Sequence, residues 1–199
     1  MTIKGASKIL LVASIFGISA LFTMPASTIS YQDDVELQFT WNSYLSMSVS
    51  DSSIAATVSS GGSVASDPIT ITHASNNGTG LKLFATVGST TYNSTDLVKS
   101  GDSTKKFTCV STSASLSSLT SDNTWGYSWV SNTSGGTYSN ISGLPKYDGT
   151  EKEIRNVGRP TGAGSAYSRT RFRIHARAGA TQPAGTYENV INFSVVANT

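Results

Sequence analysis

Apolar side chains alternate with polar ones along many short segments of this 199-residue chain. Successive side chains of a β-strand point to opposite faces, so this period places one row of apolar groups against a core. The segments are 34–40, 44–50, 54–58, 69–71, 81–87, 124–130, 170–176 and 187–195. Glycine, serine, asparagine and aspartate separate them, as in sandwiches and barrels. We therefore predict an all-β fold, an antiparallel β-sandwich of about seven to nine strands with Greek-key or jelly-roll connections.

Two stretches depart from this alternation. Within residues 113–120, apolar residues at 114, 116 and 119 suit one short helical turn. The segment 131–168 is rich in glycine and proline and poor in apolar residues, which predicts a long loop with a short extra strand near Glu153–Val157. A loop of that length inside a compact domain usually carries function or moves.

The N-terminal residues have the layout of an export signal. Two lysines precede an apolar run over residues 9–24, which ends at Pro25-Ala26-Ser27. A positive start, an apolar centre and small residues at the end are typical of a secretory signal. We predict a signal peptide at 1–27 and a single domain at 28–199, in a secreted or cell-surface protein. Met24 is large for a position just before a cleavage site, so an uncleaved membrane anchor is the alternative.

Charge and composition exclude several classes of function. Residues 1–26 carry two of the fourteen lysines and arginines and no acid, which leaves twelve positive charges against twelve negative ones. That balance argues against general binding to nucleic acid. A hydrophobic content of 38%, much of it in period two, argues against disorder despite the abundant serine and threonine. The single cysteine, Cys109, excludes an internal disulfide and is expected to be a small buried residue, with intermolecular pairing as the alternative.

The sequence carries no pattern typical of catalysis or cofactor binding. His73 and His175 lack a second histidine or cysteine at metal-ligand spacing, and the acidic pairs Asp33-Asp34 and Asp96/Asp102 lack the spacing of a calcium loop. Neither a Gly-x-Ser-x-Gly elbow nor a phosphate loop is present. A Ser/His/Asp triad built from distant residues leaves no such signature. We predict no enzyme activity, no metal and no cofactor.

The most unusual segment places basic side chains at every second position of one strand. This arginine row comprises Arg169, Arg171, Arg173, His175 and Arg177. It lies opposite a predicted core row of Thr170, Phe172, Ile174 and Ala176. One interpretation is a solvent face neutralised by Asp34 and Glu36, or by Glu188, on a neighbouring strand. The other is a binding face for an anionic partner, since arginine suits carboxylate and phosphate contacts and a linear row suits a polymer.

A second segment, Trp125-Gly-Tyr127-Ser-Trp129, places three aromatic side chains on one face of a strand. Such a face is usually core, and the small residues between the aromatics favour burial inside a sandwich. If exposed, the three rings would form a stacking platform for sugars, because flat aromatic faces bury apolar sugar surface.

The C-terminal stretch Gln182–Ala197 leads into an alternating strand through Pro-x-Gly-x-Tyr. It resembles the final strand of bacterial surface β-sandwich domains, among them fimbrial pilin subunits, spore-coat-type domains and WxL-type wall-binding domains. Chaperone-assembled pilins usually carry a disulfide, whereas this chain has one cysteine, and the Trp-x-Leu of the WxL type is absent. The resemblance therefore implies a fold and a compartment and no particular activity.

Together these features predict an exported, non-catalytic structural or adhesive subunit of the cell surface, belonging to a pilus, a coat or the wall. Assembly is expected through an exposed sheet edge, and the first and last strands are the expected edges. The expected partners are further copies, other surface proteins or an anionic glycan, and a membrane only through the N-terminal segment. The alternative is a module that binds carbohydrate or an anionic wall polymer through the arginine row or the aromatic strand.

Overall fold

A computed structural model describes residues 44–89, 93–131, 136–161 and 169–199. They belong to one compact unit, Ser43–Thr199, and form eleven strands and no helix. The strands are β1 Leu45–Val49, β2 Ser63–Ala65, β3 Ile69–Ser75, β4 Leu81–Val87, β5 Leu97–Lys99, β6 Asp102–Cys109, β7 Thr124–Ser131, β8 Lys152–Val157, β9 Arg169–Arg177, β10 Tyr187–Glu188 and β11 Ile191–Ala197. The predicted all-β class is confirmed.

The strands form two sheets. The large sheet has eight strands in the order β1-β3-β9-β7-β6-β5-β10, with β2 paired against the C-terminal half of β9. The small sheet has the order β11-β4-β8. Among the pairs of described strands, β6 and β7 are parallel and the others are antiparallel. Residues 110–123 connect β6 to β7, a length that allows the chain to cross over and run again in the same direction.

One hydrophobic core draws side chains from both sheets. The large sheet contributes Ile71, Trp125 and Phe172, and the small sheet contributes Leu83 and Val87, all with at most 1% of their surface exposed. The residues follow the period that the sequence predicted, because alternate side chains of β3, β4 and β9 are buried.

Three local predictions are wrong. Residues 54–58 form no strand, and residues 113–120 form no helix but a turn and a short bridge at Leu116. The segment 187–195 is split, since β10 pairs with β5 in the large sheet and β11 with β4 in the small sheet. Asn189 explains the split: its Nδ2 donates to the carbonyls of Ser94 (2.9 Å) and Asp96 (2.7 Å), and its Oδ1 accepts from the next backbone N–H (2.7 Å).

The predicted long loop contains the extra strand expected near Glu153–Val157, which is β8. β6 pairs with the beginning of β7, and residues 138–142 of the same loop pair with the same edge of β7 farther along. The N–H of Ser139 donates to the carbonyl of Trp129 (2.7 Å), and Tyr127 and Ser142 exchange backbone hydrogen bonds of 2.8 and 3.0 Å. This part of the loop is therefore a wall fixed to the large sheet.

Gly126 allows this wall to approach β7. A Cβ atom at this position would lie 2.7 Å from Cγ2 of Ile141 and 2.9 Å from the carbonyl oxygen of Ser142. Gly126 lies opposite His175 in the β7–β9 ladder, so Ile141 covers the outer face of the sheet beside the arginine row.

The predicted signal segment and the strand expected at 34–40 lie outside the described residues. Along 44–199, wherever the structure is described, no helix is long and apolar enough to cross a membrane.

Candidate functional site

The arginine row lies on the outer face of the large sheet. Thr170 and Phe172 are fully buried on the inner face of β9. Arg169 and Arg171, on either side of Thr170, are exposed, and the remaining three members of the row are partly buried. Alternation along β9 therefore separates the apolar and basic rows as the sequence predicted.

One of the neutralising partners predicted from the sequence, Glu188, lies away from the row. Glu188 lies on β10, opposite Val98 of β5, and two further strands separate β5 from β9. Asp34 and Glu36 lie outside the described residues. In the part of the chain that the structure describes, the ion pair made by this row joins Arg177 Nε to Asp122 Oδ1 at 3.0 Å.

Arg173 is held in position by two contacts. Its guanidinium lies 3.7 Å above the centre of the Tyr138 ring, which belongs to the loop wall. Its Nε donates to Oγ of Ser128, the residue directly opposite on β7, over 3.3 Å. One edge of the planar group is thus occupied, and its Nη groups donate to no acceptor within residues 44–89, 93–131, 136–161 and 169–199.

Ser128 links Arg173 to the next member of the row. Its Oγ lies 2.8 Å from Nε2 of His175. A hydroxyl that accepts from Arg173 and donates to Nε2 satisfies all three groups when the imidazole is neutral. Burial and the nearby charge of Arg173 lower the pKa of His175 to about 4, so the ring is neutral at neutral pH.

A groove follows these residues. It has a volume of about 430 Å³, with Ser128, Arg173 and His175 on the sheet side and Tyr138, Asn140 and Ile141 on the wall side. A smaller depression of about 210 Å³ beside Ala65 shares His175 and Ile141 with it. His175 therefore lies where the two depressions meet, and together they cross the outer face of β9.

The aromatic strand is not a stacking platform. Trp125 and Tyr127 are 0% and 3% exposed and belong to the core, and Trp129 packs partly against it. The indole Nε1 of Trp125 donates to the Thr95 carbonyl over 3.0 Å, and the Tyr127 ring stacks on Phe172 at 5.1 Å. Trp125 and Tyr127 therefore belong to the core and present no exposed face on which a sugar could stack.

Sequence patterns missed the wall of the groove. Tyr138 and Asn140 lie in a segment with no apolar period, and their contact with β9 depends on long-range pairing. The sequence shows Ser128 only as a small residue between two aromatics. The small residues Gly126 and Ser128, on either side of Tyr127, nevertheless indicate the wall, because they mark where another backbone approaches β7.

A buried polar cluster was also missed. His73 is fully buried on the inner face of β3, and its Nε2 lies 3.1 Å from Oγ1 of Thr170. Nη1 of Arg155, on β8, donates to the same oxygen over 3.1 Å and to the Arg169 carbonyl. Burial, with the Arg155 charge as a second cause, lowers the pKa of His73 to about 4.

Cys109 and the acidic residues form no reactive site in the described part of the chain. The thiol is partly buried with its Sγ 3.9 Å from the Leu144 carbonyl, and burial raises its pKa to about 11. Across the four described ranges, no three His, Cys, Asp or Glu side chains come together as a metal site.

Comparison of the chain with protein-family models, with curated proteins and with solved structures found no match. The resemblance of Gln182–Ala197 to bacterial surface domains stays a prediction. In the structure its Pro-x-Gly-x-Tyr turn closes on itself, because the Tyr187 hydroxyl donates to the Pro183 carbonyl over 2.7 Å.

Proposed function

We propose that this chain is an exported, non-catalytic surface protein whose adhesive role is to hold an anionic glycan or wall polymer against the arginine row. The observation that carries this proposal is the placement of basic side chains at alternate positions on the outer face of β9. Arg169 and Arg171 are exposed there, and Asp122 is the one carboxylate paired with the row among the described residues.

The charges of the row suit an extended partner. Alternate residues along a strand are about 6.6 Å apart, so the basic groups can meet successive charges of a chain-like polyanion. Arginine is weakly hydrated and donates through a planar fork, which favours lasting contacts with carboxylate or phosphate. Contacts of this kind between exposed charges weaken with added salt.

Retention on immobilised polyanions tests this function. The double variant R171A/R173A should lose most retention at low ionic strength, while K105A, which removes an exposed lysine on β6, should retain it. Equal retention of the double variant and the parent protein would exclude the arginine row. Equal losses of retention in all variants would indicate that retention depends on net charge and not on one face of the protein.

The fold, compartment and export of the protein form part of the same proposal. A β-sandwich with the two sheets face to face is supported by the single core that both sheets share. Secretion, and a tether if the signal at 1–27 is uncleaved, rest on the N-terminal sequence pattern. N-terminal sequencing of the exported protein tests cleavage after Ala26.

A second function, self-assembly into a fibre or coat, is favoured by the edge strand β1. Within the described residues β1 pairs with β3 alone, and it exposes Leu45 (40%) and Val49 (37%). An edge that offers both backbone hydrogen-bonding groups and apolar side chains can pair with a second copy.

Sedimentation over a range of concentrations tests the assembly. Ordered oligomers of the parent protein should dissociate in V49K, because a charge on an edge strand opposes pairing. Y147K replaces an exposed aromatic outside the strands and serves as the control. A parent protein that stays monomeric at high concentration would rule out assembly by this edge.

A further inference from the structure

Arg173 differs from the exposed Arg169 and Arg171 because its guanidinium is held in place before any ligand arrives, and from Arg177 because no carboxylate of the described residues pairs with it. Tyr138 fixes its plane and Ser128 fixes its rotation. Arg169 and Arg171 are exposed, and Arg177 is paired with Asp122. Groups that are already ordered lose less entropy on binding, so the Nη edge of Arg173, which meets no acceptor among the described residues, is the best-prepared anion contact of the row.

We infer that the groove beside Arg173 recognises one sugar unit that carries a carboxylate, with the carboxylate on the Arg173 fork. This inference rests on the proposed polyanion-binding function and names the chemical group within the polymer that the protein selects. The planar guanidinium matches a planar carboxylate through two parallel N–H···O bonds.

The lining of the groove indicates a sugar around that carboxylate. Hydroxyl and amide residues, namely Ser117, Thr137, Ser139 and Asn140, line the same groove as Arg173 and His175. Sugar hydroxyls both donate and accept hydrogen bonds, as these groups do. The groove has a volume of about 430 Å³ and is an open depression on the surface of the sheet.

A phosphate polymer without sugar is disfavoured by the same geometry. Its charges would be met equally well by the exposed Arg169 and Arg171, with no use for the hydroxyl-lined wall. Selection of a sugar carboxylate over bare phosphate at equal charge is therefore the property that separates a built groove from a basic surface.

Titration of the full exported domain with three probes tests the inference: a short galacturonate oligomer, inorganic polyphosphate of similar charge, and a neutral glucose oligomer. The galacturonate oligomer should bind best. R173K keeps the charge and removes the fork, and it should weaken galacturonate binding by about tenfold or more. R171K, at an exposed position of the same row, should weaken it by less than about threefold.

Two variants that remove the contacts holding Arg173 give a measurement that would not change if anions bound to a general basic surface. Y138L and S128A leave every charge in place but release the Arg173 guanidinium, so both should lower the preference for galacturonate over polyphosphate. Thermal melting curves establish that each variant is folded before binding is measured.

The outcomes separate the two claims. If galacturonate and polyphosphate bind equally, and R173K behaves like R171K, the groove inference is overturned while the polyanion-binding function survives. If neither polyanion binds, both are overturned. Preference for the neutral oligomer would also overturn the carboxylate assignment.

Discussion

Arg155 of the small sheet donates a hydrogen bond to the Thr170 hydroxyl of the large sheet, with 3.1 Å between Nη1 and Oγ1. The register shift of the β4–β8 ladder between Leu83 and Phe84 makes this contact possible, because both Ile154 and Arg155 are then buried. The two sheets are therefore joined by a polar link, besides apolar packing, directly behind the arginine row.

Removal of this link should destabilise the fold. R155A removes the donor that Arg155 offers to the buried Thr170 hydroxyl and to the Arg169 carbonyl and creates a cavity, so the free energy of unfolding should fall by about 2–4 kcal/mol. Urea unfolding followed by tryptophan fluorescence measures it. E153A, at an exposed position of the same strand, should change the stability by less than about 1 kcal/mol. Equal effects of the two variants would contradict the role of Arg155.

Stability should depend on pH through His73. Its pKa is about 4 in the folded protein, against the ordinary value of 6.5 that the residue regains on unfolding, so the unfolded state binds more protons between these values. The contribution is fully present above about pH 6.5 and is lost as the pH falls toward 4, by about 3 kcal/mol in all.

The variant H73Q tests this dependence, because glutamine keeps a hydrogen-bonding group near Thr170 and does not titrate. Its free energy of unfolding, measured between pH 7 and 4, should fall less steeply than that of the parent protein. H175Q should also flatten the profile, because burial and the nearby charge of Arg173 lower the pKa of His175 to about 4 as well. Parallel pH profiles for the parent and H73Q would refute the assignment.

Gly126 should not tolerate a side chain. In G126A the new methyl group meets Ile141 Cγ2 at 2.7 Å and the Ser142 carbonyl at 2.9 Å, so the loop wall must move. Overpacking of this kind costs about 1–3 kcal/mol, and the groove should lose affinity for its anion at the same time. Gly158, whose added methyl group would meet no atom within 4 Å, provides the matched control G158A. A G126A protein with unchanged melting temperature would contradict the close approach.

Trp125 should matter for stability and not for binding. W125F keeps an aromatic ring in the core but leaves the Thr95 carbonyl without its donor, so unfolding should become easier by about 1–3 kcal/mol. At temperatures where the variant is folded, its affinity for polyanions should equal that of the parent protein. If W125F lost sugar binding while it was still folded, these aromatic residues would belong to the binding site after all.

The sequence predicted the features that depend on local alternation. Both rows of β9 and the burial of Trp125 follow from which neighbours are apolar, and this information lies within a few residues. The strand β6 was missed because Ser103–Lys106 are exposed and show no apolar row. The single segment predicted across 187–195 was wrong because Asn189, with its bonds to residues 94 and 96, moves the chain between sheets.

The groove required information that no local pattern contains. Tyr138 reaches Arg173 because residues 138–142 replace β6 along one edge of β7, while β9, which is distant in sequence, pairs with the other edge. A period-two pattern assigns residues to the faces of a strand. It does not predict which segment of the chain pairs with the edge of that strand.

Because residues 138–142 take the place of β6 along the edge of β7, ligand binding is coupled to the folding equilibrium. The backbone hydrogen bonds between Tyr127 and Ser142 extend the sheet and also hold the wall of the groove. The groove therefore exists in the native state and is lost when these bonds break on unfolding. An occupant must then increase the free energy of unfolding by mass action, by about 2.7 kcal/mol at a hundred times its dissociation constant, and so raise the melting temperature. A thermal-shift screen of charged oligosaccharides would therefore report the occupant directly.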